Sequence, residues 1–282
     1  MKHDSPRRTG GSPDLGYLDL GPRAADAVVL LHSLGADHRM WGAQAEALSA
    51  RRRVLVPDAR GHGTSGWGGP PTADIWAGDL GRVLDAADVR RAALVGVSLG
   101  GIQAVAYAAG RPDRVSAVVI ADSFVELAPE VAEDRIAALA GPARRTGMGA
   151  VADSYVGGTF TRTPPPRGAQ AVRAAIAGMD AEHYADSVAA CFSVRIADRL
   201  ADVRAPALVL WGERDAKTPR ALSERIAAGI RGAELEVVPG AGHLSNMENP
   251  AAFTALVEDF LAARTPAEDS GERSNPSPSG GS

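Results

Sequence analysis

The sequence predicts an α/β fold: a mostly parallel sheet with helices on both faces and a helical cap inserted at one edge. Three observations point to it. Short apolar runs alternate along the chain with stretches of helical spacing, the signature of strands joined by helical crossovers. Several of the runs are apolar throughout instead of alternating, as in strands buried on both faces. The alternation stops between residues 123 and 200 and then resumes, which marks an insertion.

In chain order, residues 1–13 are polar and rich in Gly, Pro and Ser, and are expected to be a disordered tail. Residues 17–20 form a weak strand candidate. Residues 26–32 form a strong one, followed by the loop Ser33-Leu34-Gly35-Ala36-Asp37 and a helix over 41–50. The strand 53–57 runs into the turn-forming stretch Asp58-Ala59-Arg60-Gly61-His62-Gly63-Thr64-Ser65. Residues 74–88 are amphipathic, with Ile75, Leu80, Val83, Leu84 and Ala87 near helical spacing. A strand over 92–97 meets a helix over 102–109, closed by Gly110-Arg111-Pro112.

The strand 115–121 ends at Asp122. Ala-rich helical segments follow, with breaks expected at Gly141-Pro142 and at Pro164-Pro165-Pro166. Strand 207–211, helix 219–230, strand 233–238 and helix 250–263 complete the alternation. Residues 264–282 are rich in Pro, Ser and Gly and are expected to be a second disordered tail. The domain reading is therefore a core of 14–122 and 201–263, with 123–200 as a cap. Such an insertion emerges at the carboxyl edge of the sheet, where ligands bind in this class of fold.

Composition narrows the function. The chain has 282 residues, 45% hydrophobic and 23% charged, with a net charge of −4. That balance gives no reason to expect a nucleic-acid partner. No run of about 20 apolar residues exists, so no membrane span is expected. Cys191 is the only cysteine, which excludes an intrachain disulfide and reads as a small buried hydrophobe. A cytoplasmic setting is the expectation. Nothing in the sequence signals an oligomeric state.

The chemistry centres on Gly96-Val97-Ser98-Leu99-Gly100. A strand, a tight turn with serine at its apex and a helix make a nucleophile elbow. Strand and helix pass close to the turn, so a Cβ at position 96 or 100 is expected to clash. A serine hydroxyl needs a base, and the base an orienting acid. Trp211-Gly212-Glu213-Arg214-Asp215 follows a buried strand, and Val238-Pro239-Gly240-Ala241-Gly242-His243 follows the last one. The order Ser98, Asp215, His243 is the order this architecture requires. Glu213 and Asp122 are the rival carboxylates. Backbone N–H groups of Leu99 and Leu34 are the expected oxyanion donors.

Other polar residues take plainer readings. His32 and His62 are expected to shape turns, and Asp58 and Arg60 to make internal hydrogen bonds. The six histidines, at 3, 32, 38, 62, 183 and 243, show no metal-ligand spacing, and the elbow lacks the Gly-Lys-Ser/Thr of a phosphate loop. Neither metal nor cofactor is expected. His183 reads as a solvated cap residue. Arg135, Arg144, Arg145 and Arg162 read mainly as surface charge, with selection of an anionic substrate as the alternative.

These motifs, with Gly242-His243 and Glu248-Asn249-Pro250, resemble the α/β-hydrolase family over residues 16–263. The stretch Ser33-Leu34-Gly35-Ala36-Asp37 leading to Met40-Trp41 is most similar to the 3-oxoadipate enol-lactonases. Ser33 stands where the wider family has glycine, Leu99 where methionine is frequent, and the cap has no tryptophan. The resemblance implies an α/β-hydrolase fold and a serine hydrolase of a small ester or lactone, carboxylated in the enol-lactonases. The same fold also serves lyases, perhydrolases, natural-product tailoring enzymes and ligand-binding receptors.

Overall fold

The computed structural model describes residues 5–162 and 166–264. Among these, eight strands form one sheet: β1 (Arg7–Arg8), β2 (Gly16–Leu20), β3 (Ala27–Leu31), β4 (Arg53–Pro57), β5 (Ala92–Val97), β6 (Val115–Ala121), β7 (Ala207–Gly212) and β8 (Glu234–Val238). Their spatial order is β1-β2-β4-β3-β5-β6-β7-β8. Strands β1 and β2 run antiparallel to their neighbours, and β4 through β8 are mutually parallel. Strands β3, β4 and β5 are buried along their whole length, which is why they read as unbroken apolar runs. The edge strand β8 alternates instead and exposes Glu234, a charge that discourages further pairing.

Helices α1 (Gly42–Ser49), α2 (Ala73–Ala86) and α3 (Leu99–Gly110) precede β6. Between β6 and β7 lie α4 (Pro129–Thr146), α5 (Met148–Thr159), α6 (Pro166–Ala177) and α7 (Ala181–Phe192). Then come α8 (Arg220–Gly229), α9 (Ser245–Glu248) and α10 (Pro250–Ala262). Side-chain caps start several of them. The Thr72 hydroxyl accepts the Ile75 N–H before α2, Asp180 accepts the N–H groups of Glu182 and His183 before α7, and Asn249 accepts that of Ala252 at α10. No helix among the described residues is long and apolar enough to cross a membrane.

The chain leaves β6 and returns to β7 side by side. Glu126 and Arg195 form an antiparallel bridge there, and the Ile196 N–H donates to the Val125 carbonyl at 3.0 Å. Above this neck α4 packs on α7 and α5 on α6. The buried faces of α4 and α7 carry Ala132, Ala140 and Ala143 against Ala185 and Val188, small side chains that let the helices approach closely.

Two sequence expectations differ from the structure. Gly141-Pro142 does not break the cap: α4 runs through Pro142. An interior proline removes one helical bond and costs about 3 kcal/mol. Here Ala140 and Ala143 are buried on either side, and their packing outweighs the local rule. The N-terminal segment is not structureless over 5–13. Arg7 and Arg8 pair with Tyr17 and Gly16, and the Arg82 guanidinium donates to the carbonyls of Gly10 and Pro13 at 3.0 and 2.6 Å. Composition cannot register that fastening, because it comes from a helix some seventy positions away. At the proline run the expected break is present: α5 ends at Thr159 and a new helix, α6, begins at Pro166, where a proline is tolerated in the first turn. Residues 1–4, 163–165 and 265–282 lie outside the described residues.

Neighbouring strands β3 and β5 place Leu31 opposite Gly96, so the loops after both strands leave the sheet side by side. The chain order reverses across this pair, since β4 lies on the far side of β3. Such a switch point opens a crevice at the carboxyl edge of a parallel sheet.

Candidate active site

Ser98 occupies that crevice at the end of β5, with φ 55° and ψ −114°. A non-glycine residue in this region is strained, and the surroundings hold it there. Its N–H donates to the Ala121 carbonyl at 2.9 Å, and its own carbonyl accepts the Ser123 hydroxyl at 2.7 Å. The two motif glycines are sterically required. A Cβ on Gly96 would lie 2.2 Å from the backbone of Gly100, and one on Gly100 would lie 2.1 Å from the Leu31 carbonyl oxygen.

The structure brings Ser98, His243 and Asp215 into one hydrogen-bonded chain. His243 Nε2 lies 3.2 Å from Ser98 Oγ, and His243 Nδ1 lies 2.9 Å from Asp215 Oδ2. An ionised carboxylate only accepts, so Nδ1 carries the ring proton and Nε2 is left as an acceptor facing the serine hydroxyl. All three side chains are buried. Burial opposes the charge of Asp215. The neighbouring His243 ring, and the Thr218 hydroxyl and N–H that it accepts, nevertheless hold its carboxyl below the usual carboxylate range. The Lys217 N–H donates to Oδ1 of the same carboxylate at 2.7 Å.

The rival carboxylates are otherwise engaged. Glu213 accepts the Gly240 N–H at 2.7 Å and so braces the turn that leads to His243. Asp122 is fully buried and has a positive φ of 48°. Its Oδ1 accepts the Gly212 N–H at 2.7 Å, and its Oδ2 accepts the hydroxyl and N–H of Ser245. Burial, and then the nearby charge of Asp215, push its carboxyl well above the ordinary range. Neither Glu213 nor Asp122 bonds to the His243 ring.

The N–H groups of Leu34 and Leu99 donate to no acceptor among the described residues. An unpaired donor on the first turn of a helix is ordinary, but Leu99 directly follows Ser98 and Leu34 lies in the loop after β3, the strand that neighbours β5. His32 shapes the first of those loops. Its Nδ1 donates to the Ser33 carbonyl at 2.8 Å and its Nε2 accepts the Ala59 N–H at 2.9 Å, which joins the turns after β3 and β4. His62 Nδ1 donates to the Arg60 carbonyl, and burial pulls its ring pKa down to about 4. Arg60 meets Asp79 in a buried two-pronged ion pair. The turn-shaping and internal-bonding roles expected of these residues are the ones observed.

One group among the described residues, Asp37, His38 and Asp58, brings potential metal ligands within 4.8 Å of one another. Their oxygens are occupied by Arg39, by the N–H and ring of His38, and by Thr64. Cys191 is buried, and burial pushes its thiol up to about 12. His183 on α7 is partly exposed and also makes a ring contact that the sequence does not signal. It stacks on Trp67, with centroids 4.2 Å apart and planes at 16°, and pins α7 to the loop after β4.

Three residues near the site carry no motif. Thr218 holds Asp215. Tyr155, on α5, turns its hydroxyl toward the side chains of Ser33 and Thr159, and burial pushes it up to about 12. Lys217 Nζ donates to the Thr159 hydroxyl at 2.8 Å. The one trace of Lys217 in the sequence is its rarity, since Lys2 is the only other lysine.

A family model for the alpha/beta hydrolase fold matches residues 26–250. The 3-oxoadipate enol-lactonase 1 of Acinetobacter baylyi is 29% identical over 248 residues, covering 86% of this chain and 90% of that one. Among solved structures, the enol-lactonase from Burkholderia xenovorans LB400 is 34% identical with a TM-score of 0.82, covering 89% of this chain and 98% of that one. A thermophilic esterase from Thermogutta terrifontis is 29% identical with a TM-score of 0.83, covering 93% and 100%.

Proposed function

The chain belongs to the alpha/beta hydrolase family, and from that premise we propose that it is a serine hydrolase cleaving a small carboxylic ester or lactone. The observation that carries the reading is the unbroken relay from Asp215 through His243 to a serine held at positive φ. The kinship with enol-lactonases and an esterase supports the same reaction class.

Ser98 Oγ attacks the carbonyl carbon while His243 Nε2 accepts its proton. The developing oxyanion takes hydrogen bonds from the N–H groups of Leu34 and Leu99, donors that need no rearrangement when charge appears. Asp215 holds the ring tautomer and stabilises the imidazolium. Collapse breaks the C–O bond, and the leaving alkoxide takes the proton from His243. Water, deprotonated by the same nitrogen, then attacks the acyl-enzyme. The acid is released and Ser98 regains its proton. For a lactone the leaving oxygen stays tethered, and a single hydroxy acid results. For an enol lactone that product is the keto acid. No step calls for a cofactor or metal. The lone cysteine fits a reducing compartment, the cytoplasm.

A panel of aryl esters, saturated lactones and enol lactones tests the reading. Wild type is expected to turn over at least one class many times per chain, and Ser98→Ala to lose that turnover. A Ser98→Ala variant that keeps its turnover overturns the mechanism, and binding without turnover favours a receptor.

A further inference from the structure

Two cations stand together between the cap and the loop that carries Asp215. Lys217 is half-buried, with its Nζ on the Thr159 hydroxyl and 4.6 Å from the centre of the Tyr155 ring. Arg135, also half-buried, reaches over from α4 and donates to the Lys217 carbonyl at 2.7 Å, its guanidinium 5.8 Å from the centre of the Phe192 ring. Among the described residues neither forms an ion pair with a carboxylate. Asp215 is close, but its oxygens are already taken by His243, Thr218 and the Lys217 N–H.

The contrast with other cap arginines is clear. Arg144 pairs with Glu182 at 2.7 Å, Arg173 with Asp153 at 2.6 Å and Arg195 with Glu126 at 3.4 Å, all on the surface. Arg145, Arg162 and Arg167 also form no ion pair among the described residues but are exposed, whereas Lys217 and Arg135 lack one while half-buried. Burial and then the Arg135 charge drive the Lys217 ammonium below its ordinary pKa, so the two charges oppose each other where they stand. Two desolvated like charges are costly unless an anion joins them. Their surroundings lead toward Ser98. Tyr155, under the Lys217 ammonium, points its hydroxyl at Ser33, the neighbour of Leu34.

We propose that Lys217 and Arg135, with the Thr159 hydroxyl, form an anion subsite at the cap side of the Ser98 crevice that selects substrates bearing a carboxylate. This inference rests on the serine-hydrolase reading and assigns its charge selectivity to named residues. The ammonium and guanidinium donate to the carboxylate, while the Tyr155 and Phe192 rings keep water from screening the contact.

The test compares the 4-nitrophenyl monoester of glutaric acid with 4-nitrophenyl pentanoate, of equal acyl length, and uses glutarate as a competitive inhibitor of pentanoate hydrolysis. Wild type is expected to favour the charged ester in kcat/KM. In Lys217→Gln and in Arg135→Gln, the charged-to-neutral ratio is expected to fall about 10- to 100-fold, the worth of a hydrogen bond to a charged group. The glutarate inhibition constant should rise in step, and Lys217→Arg should retain most of the preference. Using both variants covers the case in which one folds poorly. An unchanged ratio together with an unchanged glutarate inhibition constant overturns the subsite and leaves the hydrolase reading standing. Loss of wild-type turnover on both esters, or survival of turnover in Ser98→Ala, strikes the hydrolase reading instead.

Discussion

Asp122 Oδ1 accepts the backbone N–H of Gly212 at 2.7 Å, while its second oxygen accepts the N–H and hydroxyl of Ser245. One buried carboxylate therefore joins the two loops that carry Asp215 and His243. It stands at the end of β6, from which a carboxylate can in principle serve a histidine, yet it grips backbone instead.

In the proposed mechanism Asp122 is a positioning residue and Asp215 the orienting acid. Asp215→Asn is expected to lower kcat on an aryl ester by about 10³- to 10⁴-fold, the effect of losing the correct imidazole tautomer. Asp122→Asn keeps an acceptor for Gly212 and a side chain at ease at positive φ, so its loss should be about tenfold or less and confined to kcat. Asp122→Ala should lose more, about 10- to 100-fold, as both loops drift. The pH profile of kcat/KM is the further readout: Asp122→Asn removes a carboxyl whose charge acts on Asp215 and should move the acid limb, which a purely structural brace would leave in place. Equal losses in Asp122→Asn and Asp215→Asn would reverse the assignment.

Gly100→Ala tests the packing of the elbow. Its Cβ would meet the Leu31 carbonyl oxygen at 2.1 Å, and backbone on both sides leaves nothing flexible to yield. A destabilisation of about 3 kcal/mol or more is expected, read as a lower urea midpoint or loss of folded protein. An unchanged midpoint would show that β3 and α3 do not approach so closely.

His62 gives the molecule an acid-sensitive element. Its ring pKa is about 4 in the folded chain, against 6.5 in its ordinary state, chiefly through burial. Between those values the unfolded chain binds the extra proton, so stability rises with pH there. The contribution is fully present above pH 6.5 and is lost as pH falls toward 4, a change of about 3 kcal/mol. Asp58, held at about 2 against its burial by His38 and Thr64, loses its contribution only at lower pH, while Asp122, pushed well above the ordinary range, adds a slope of opposite sign in this window, so the difference between wild type and the His62 variant is what is read. His62→Gln should flatten the slope of unfolding free energy between pH 4 and 6.5. A slope equal to that of wild type would assign it elsewhere.

The parts of the site legible in the sequence are those with short-range causes. Gly96 and Gly100 are dictated by close backbone approach, and Asp215 and His243 follow strands whose apolar runs locate them. Lys217, Arg135 and Tyr155 were not legible as a group, because their meeting depends on how cap helices settle on the core. Lys217 and Thr159 are 58 positions apart. Pro142 misleads for the same reason in reverse: a strong local rule yields to the packing of Ala140 and Ala143. The segment after Arg7 and Arg8 is fastened by Arg82 through the carbonyls of Gly10 and Pro13, which no local pattern connects to it.

In the proposed mechanism Ser98 is the nucleophile, and covalent capture asks for that residue by name. The protein is treated with a fluorophosphonate, the label is located by peptide mass spectrometry, and residual ester turnover is followed in parallel. One label per chain is expected, on Ser98, with turnover falling in proportion, and no labelling of Ser98→Ala. A label on another residue, or full turnover by chains labelled at Ser98, would contradict that mechanism.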